Sequence, residues 1–388
     1  MEGLELETDR QAALRARLGG TGHQPAGAVR VLFLAYDRAL DFHQDLVCHG
    51  LAELLGPENL LVYPRVERYH VPPSDDLKHI AMSYPNLPPA PDAELEDLAA
   101  EADALVVGSP RGTALKSLSA VVERGFDKPR AALDGLDDPY VRALIRHVDV
   151  YFKRETLRHT ARLRLKFPAR TLYWSIRPHE MWNKANPLRR QVAVARAGLP
   201  KLVPLPFAAV PIGVPRAERR TYDVAFLGAA THPLRARVVE ELRALGEEGY
   251  DVLVPGVPLR EEDRYMWDVR LPWFRYMDLL SSSKIAISVR GDGFDTYRYW
   301  EIPYAGALLL AETPQTVIPD NFVDGIEAVF AEPEQLGAAA RRLLESDEVE
   351  RIAAAGQAKL MARHLSRHRA QTVLEHLASV RRRRAAAR

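Results

Sequence analysis

Apolar runs of strand length alternate with stretches of helical periodicity along most of this chain. Residues 29–35 (VRVLFLA) form a dense apolar run that ends in the polar turn Tyr36-Asp37-Arg38. Leu46, Leu51 and Leu54 follow at near-helical spacing, and residues 59–63 (NLLVY) read as a second strand. This β-α-β opening predicts a parallel sheet. After an irregular, proline-rich stretch over 64–95, residues 103–107 (DALVV) give a buried strand closed by Gly108-Ser109-Pro110. Residues 131–133 and 148–151 predict two more strands, and 171–176 (TLYWSI) a sixth.

The pattern changes over 177–220, where apolar pairs are repeatedly interrupted by proline. Proline cannot donate to a central ladder, so this stretch reads as an extended, semi-rigid connection. Alternation then restarts. Strands are predicted over 222–227, 251–254, 285–289 and 307–311, with a helix opening at Pro233 and striped by Leu234, Val238, Leu242 and Leu245. From about Glu334 the pattern is helical. The expected division is a lead-in over 1–28, a Rossmann-like domain over 29–200 and a Pro-rich linker over 201–220. A second Rossmann-like domain over 221–365 and a C-terminal helix with basic tail over 366–388 complete it.

The chain has 388 residues, enough for two or three domains at ~150 residues each. Fifty-three Lys and Arg balance 52 Asp and Glu, which argues against whole-molecule steering toward nucleic acid or anionic membrane. Cys48 is the single cysteine, so neither an intrachain disulfide nor a Cys-based zinc site can form. The acidic opening MEGLELETDRQ does not read as a signal peptide, and no apolar run reaches the ~18 residues of a membrane span. The setting expected is a reducing cytoplasm.

Open parallel sheets bind ligands beyond the carboxyl ends of their strands. In the second half that rule selects Gly228 to His232, Pro255-Gly256, Arg290 to Tyr297, and Glu312 to Pro314. Gly228 and Ala229 lead straight into a helix start, whose free N–H groups suit phosphate. Glycine for turn geometry alone is the alternative. The third loop, RGDGFDTYRYWE, carries the densest signal. Its two glycines, Gly291 and Gly293, allow close backbone approach, and Arg290 and Arg298 offer planar forks for phosphate oxygens. Glu301 lies three residues after Arg298, on the same helix face, and could accept hydrogen bonds from two vicinal ribose hydroxyls. An internal Arg298–Glu301 ion pair is the competing reading.

Ser283 to Ile287, then Gly293-Phe294 with Arg298 and Glu301, then Ala305 to Leu310 resemble the C-terminal signature of bacterial family-1-type glycosyltransferases. The resemblance is strongest to the spore-maturation-protein-like (CgeB-like) and exostosin-like groups, and extends to the ending with His364, His368 and Arg369. It covers about residues 220–378. It implies an α/β fold of GT-B type, two Rossmann-like domains facing across a cleft, and transfer of a sugar from a nucleotide-sugar donor to an acceptor. It implies that Glu301 contacts the nucleotide ribose. Where many retaining members carry a second glutamate, this chain has Gly293 beside Asp292, which leaves the stereochemistry open.

The donor-binding set expected is Gly228, Ala229, Arg290, Asp292, Gly293, Phe294, Arg298 and Glu301. Arginines and helix N-termini would neutralise the leaving diphosphate, so neither a metal nor a cofactor beyond the donor is expected. Domain closure over the linker would exclude water. The acceptor, whether glycan, small molecule or protein, would meet the first domain. Its base is sought in Asp37 or His43, after the first strand; Asp41 reads as a helix cap.

Asp134, Asp137 and Asp138 could bind a metal or simply make a turn. Lys153 and Arg154 could face an anion or start a solvated helix. His364 and His368 lack an evident third metal ligand. The basic tail at Arg381–Arg384 is either solvated or a peripheral membrane contact. Trp267, Trp273, Phe274 and Tyr276 are sugar-stacking candidates with core packing as the default. Two alternatives to transfer stand: a nucleotide-sugar epimerase of the same fold, and a non-catalytic nucleotide- or carbohydrate-binding protein.

Overall fold

A computed structural model describes residues 29–70, 87, 93–138, 141–156, 201–212, 220–228, 233–254 and 273–387. They fall into two compact units. One comprises residues up to Leu205 together with the C-terminal helix from Ser366; the other spans Pro206–Leu365.

In the first unit the apolar runs become β1 (Val31–Leu34), β2 (Leu60–Tyr63), β3 (Ala104–Val107), β4 (Arg130–Asp134) and β5 (Val150–Lys153). With β6 (Leu202–Pro204) they form a parallel sheet in the order β2-β1-β3-β4-β5-β6. Helices α1 (Phe42–Leu55), α2 (Leu95–Glu101) and α3 (Gly112–Glu123) connect them. Leu32, Leu34, Leu105, Val107 and Leu118 are buried together between sheet and helices. Each such side chain contributes about 1.5–3 kcal/mol on burial. Because β1 runs out to β2 on one side and β3 lies on its other side, the strand order reverses between β1 and β3.

The second unit repeats this plan with β7 (Tyr222–Ala225), β8 (Val252–Leu253), β9 (Ser283–Ser288), β10 (Leu308–Glu312) and β11 (Val329–Ala331), in the order β11-β10-β9-β7-β8. Its reversal lies between β7 and β9. Helices α4 (Pro233–Glu247), α5 (Trp273–Ser281), α6 (Tyr297–Ala305), α7 (Leu336–Leu344) and α8 (Val349–Arg363) cover the sheet. Phe226, Leu242, Ile285, Ile287 and Leu310 share its core.

The structure departs from the sequence reading in three places. Within the Pro-rich stretch read as a linker, Leu202–Pro204 is β6, the edge strand beside β5. Edge strands are where a sheet tolerates proline. The residues after it belong to the second unit, where Ala209 bridges Leu365 and Tyr304 Oη donates to the Ile212 carbonyl at 2.8 Å. The edge strand β11 carries too few apolar residues to stand out in the sequence. The C-terminal segment is not a separate tail: α9 (Ser366–Ala386) packs on α1 in the first unit. Gly50 permits this, since a Cβ there would lie 2.3 Å from the Ser366 carbonyl oxygen. No described helix is long and apolar enough to cross a membrane. The strand read over 171–176, and Ala229, Pro255, Gly256 and Trp267, lie outside the described residues.

Candidate functional site

The reversal point of the second sheet gathers groups from four segments. The chain leaves β7 through Phe226, Leu227 and Gly228, and leaves β9 through Val289, Arg290 and Gly291. The first turn of α6 sends Arg298 back across this edge. Its Nε donates to the Leu227 carbonyl at 3.1 Å, and its guanidinium lies 5.3 Å from the Phe226 ring centre. Its Nη1 is buried without an acceptor among the described residues. Arg235, from the first turn of α4, donates through Nε to the Arg290 carbonyl at 3.0 Å. The two strand-end loops are thus each held by an arginine from a helix start.

Both arginines lie against glycine. A Cβ on Gly228 would come within 3.0 Å of Arg298 Nη2, and one on Gly291 within 2.8 Å of Arg235 Nη2. Withdrawal from water, and then the charge of Arg298, push the Arg235 guanidinium down to about 10, while Asp292 partly opposes them. Two guanidiniums that repel each other in a partly dry site have the charge to receive an anion. Arg235 was not singled out in the sequence; the signal available was an arginine two residues inside a helix that opens at a strand's carboxyl end.

Glu301 is 6% exposed and accepts from Tyr276 Oη at 2.8 Å through Oε2. Burial raises its pKa, and the Tyr276 hydrogen bond and Arg298 charge only partly offset this. The competing ion pair does not form, because Arg298 turns to Leu227 instead. Tyr276 therefore serves the carboxylate, whereas Trp273 is buried and pairs edge-on with Phe274 at 5.1 Å, as core packing.

Arg290 does not stand free for a phosphate. Its guanidinium is ion-paired with Glu312 and lies 4.6 Å over Phe294. Its backbone N–H also donates to Glu312 Oε2 at 3.1 Å. The reason is register: β10 lies beside β9, with Ala311 opposite Ser288, so Glu312 emerges next to the start of the loop. Gly291 N–H donates to the Gly293 carbonyl at 3.1 Å, which turns the loop and leaves Asp292 exposed at its tip. Asp295, inside that loop but not singled out in the sequence, fixes the loop's far end. It accepts from the Phe207 N–H at 2.6 Å and from Trp300 Nε1 at 2.9 Å.

In the first unit the two base candidates differ sharply. Asp37 is exposed just beyond β1 and accepts from Thr113 Oγ1 at 2.6 Å. His43 is 1% exposed, its Nε2 2.9 Å from the Leu205 carbonyl oxygen, to which it donates. Burial, then the Arg154 charge, pushes its imidazole down to about 3. It holds the chain end of the unit as a neutral ring. Asp41 caps α1 as expected, accepting from the Gln44 N–H at 3.2 Å, and takes a second bond from Ser109 Oγ at 2.6 Å.

The remaining candidates are absorbed by structure. Asp134 pairs with Lys153 at 3.0 Å and Arg142 at 2.7 Å, and Arg142 also pairs with Asp138 at 2.7 Å. Arg154 pairs with Asp137 and, at 2.9 Å, with Glu155. Lys153 and Arg154 are buried and face these carboxylates rather than an external anion. Among the described residues no group of three or more His, Cys, Asp or Glu is placed to hold a metal. His364 ends α8 while His368 lies in α9, so the two share no helix face. The basic end of α9 is helical, with Arg384 bound to both oxygens of Asp149 at 2.9 and 3.0 Å.

A family model described as "Glycosyl transferase-like" matches residues 235–375, from Arg235 through the glycine-rich loop to α9. No curated protein sequence matches the chain. Among solved structures, sucrose-phosphate synthase from Thermosynechococcus elongatus is 11% identical over 93% of this chain and 100% of that one, with a TM-score of 0.49. Anabaena HepE in complex with UDP and glucose is 13% identical over 90% and 100%, at 0.48. A glycosyltransferase from Rickettsia africae ESF-5 is 10% identical over 91% of this chain and 98% of that one, at 0.52. With two parallel sheets packed by helices and this last likeness, the chain has the GT-B fold.

Proposed function

We propose that the protein is a glycosyltransferase that takes its sugar from a nucleoside diphosphate sugar. The observation that carries this is the Arg235–Arg298 pair at the strand reversal of the second unit, with Gly228 and Gly291 beneath it. Two cations and bare glycine backbone match a diphosphate, and the buried carboxylate of Glu301 is one helical turn from Arg298, within reach of a ribose. The family model and the solved Rickettsia africae glycosyltransferase that the chain resembles support the same reading.

In the reaction, the acceptor oxygen bonds to the anomeric carbon as the bond from that carbon to the diphosphate oxygen breaks. The electron pair leaves on the diphosphate, and Arg235 and Arg298 meet the charge as it grows. The acceptor hydroxyl proton passes to Asp37, the exposed carboxylate at the carboxyl end of β1. His43 is set aside for this role by its burial. The two guanidiniums supply the positive charge that a divalent cation would otherwise bring, so the reaction is proposed to need no metal.

A thermal-shift screen over nucleoside mono- and diphosphates tests the reading. A ligand at 100 times its Kd stabilises by about 2.7 kcal/mol. Diphosphates should shift the melting point and monophosphates much less, and Arg298→Ala and Arg235→Ala should each weaken diphosphate binding roughly tenfold. The best diphosphate, offered as its sugar, should be consumed only with acceptor. Absence of any nucleotide response would refute the assignment, and a new sugar isomer from donor alone would make the protein an epimerase.

A further inference from the structure

The first unit has its own strand reversal, between β1 and β3, the kind of place where open parallel sheets take ligands. Register brings Leu34 opposite Val107, so the loops after these two strands start side by side. They are tied together twice. Asp37 accepts from Thr113, and Asp41 accepts from Ser109. Gln44, fully buried, fixes the first loop further: Tyr36 N–H donates to its Oε1 at 2.6 Å, and its Nε2 donates to the Tyr36 carbonyl at 3.1 Å. The rim is a rigid frame.

Arg111 differs from the ion-paired cations on that rim. Arg142, Lys153 and Arg154, on the same edge of the sheet, are each bound to carboxylates within 3.0 Å. Arg111, at the end of the β3 loop, keeps a side chain that is 41% exposed, and Asp41 lies 3.9 Å away. Asp41 is a poor counter-ion. It is buried, already bound by Ser109 and Gln44, and its carboxyl is held above the usual range by burial. The Arg111 guanidinium instead lies 5.8 Å from the Tyr36 ring centre. An arginine resting on an aromatic face keeps its fork for an outside anion.

We infer that the acceptor carries an acidic group, a carboxylate or a phosphate, and that Arg111 reads it while Asp37 receives the hydroxyl proton. This rests on the assignment of the first unit as the acceptor side of a glycosyltransferase. An acidic acceptor also explains why one rim carries both a carboxylate and a guanidinium: the first meets a hydroxyl, the second an anion.

The experiment is saturation-transfer NMR on the full chain with glucuronate, glucose 6-phosphate and methyl glucoside as probes, in the wild type, Arg111→Gln and Arg111→Lys. One or both acidic probes should bind the wild type and methyl glucoside should not. Arg111→Gln should weaken the acidic probe roughly tenfold, and Arg111→Lys should recover part of it through charge alone. Which acid binds identifies the acceptor's acidic group. Equal signals from neutral and acidic probes, or acidic binding indifferent to Arg111→Gln, would overturn the inference. Nucleoside diphosphate affinity, measured on the same samples, should be the same in all three proteins. Its absence in the wild type would sink the donor assignment instead, whatever the sugar probes show.

Discussion

Glu301 shows how little of a residue's chemistry resides in its type. Burial raises its pKa, and Tyr276 occupies one of its oxygens, leaving the other for a ligand. A protonated carboxyl accepts fewer hydrogen bonds, so nucleotide affinity should fall on acidification, beginning above the ~4.3 of an ordinary glutamate. Titration calorimetry across pH on the wild type and Glu301→Gln checks this: the variant should bind roughly tenfold more weakly near neutrality and show a flatter profile. A parallel profile in both proteins would take Glu301 out of the binding step. Gly228→Ala tests the arginine seat. The added methyl meets Arg298 Nη2 and, at 2.9 Å, the Phe226 ring. It should cost nucleotide affinity about tenfold while the melting point of the free protein moves by only a few degrees.

At the scale of elements, α1 illustrates a helix whose polar residues serve the fold. His43 is ordinarily protonated near 6.5 when unfolded and is pushed to about 3 in place. The unfolded chain therefore binds the extra proton between those values, so this group's contribution is fully present above pH 6.5 and is lost as pH falls toward 3. Asp45 runs the other way. Burial raises it to about 6 despite Arg68, so its contribution declines as pH rises from about 4 to 6. The two partly cancel in the wild type. Urea midpoints over pH 4–7 should accordingly differ in slope between wild type and His43→Leu, by up to ~1.4 kcal/mol per pH unit. Identical slopes would mean that His43 takes up its proton at the same pH in the folded and unfolded protein. The β1–α1 loop carries the catalytic proposal: Asp37→Asn should keep nucleotide affinity and lower the transfer rate by ~10²–10⁴-fold, in initial-rate kinetics with saturating donor.

At the scale of the molecule, the last helix joins the first unit. Helix α9 returns to the first unit and buries Val373, Leu374, Leu377 and Val380 there. At about 1.5–3 kcal/mol each, these four approach the whole stability of an ordinary domain. A chain ending at Leu365 should therefore lose the cooperative unfolding transition of its first unit in calorimetry. A normal transition in that shortened protein would show that α9 is dispensable. If the arginine pair neutralises the diphosphate as proposed, turnover with the best nucleotide sugar should survive EDTA. Loss in chelator with recovery on adding magnesium would assign that charge to a metal.

The alternating plan was legible from residues alone, because strands buried on both faces must be uninterruptedly apolar and the helices between them must carry one apolar stripe. Residues 29–35, 103–107 and 285–289 announce themselves this way, and the rule about carboxyl ends leads from them to Arg298 and Glu301 without coordinates. Strand β6 stayed hidden among its prolines, and β11 because it is only three residues long. What local sequence could not show is partnership. Arg290 and Arg298 look equivalent in one loop, yet Glu312 on the neighbouring strand binds the first, while the second crosses to Leu227 and meets Arg235, 63 residues earlier in the chain. Asp37 and His43 likewise look equivalent beside one strand, and only the packing of α1 against Gly135 and Leu205 buries the histidine and leaves the aspartate in water. Periodicity records whether a side chain is inside or outside its own element; which charge it meets there is decided by strand order and register, which pair residues far apart in the chain.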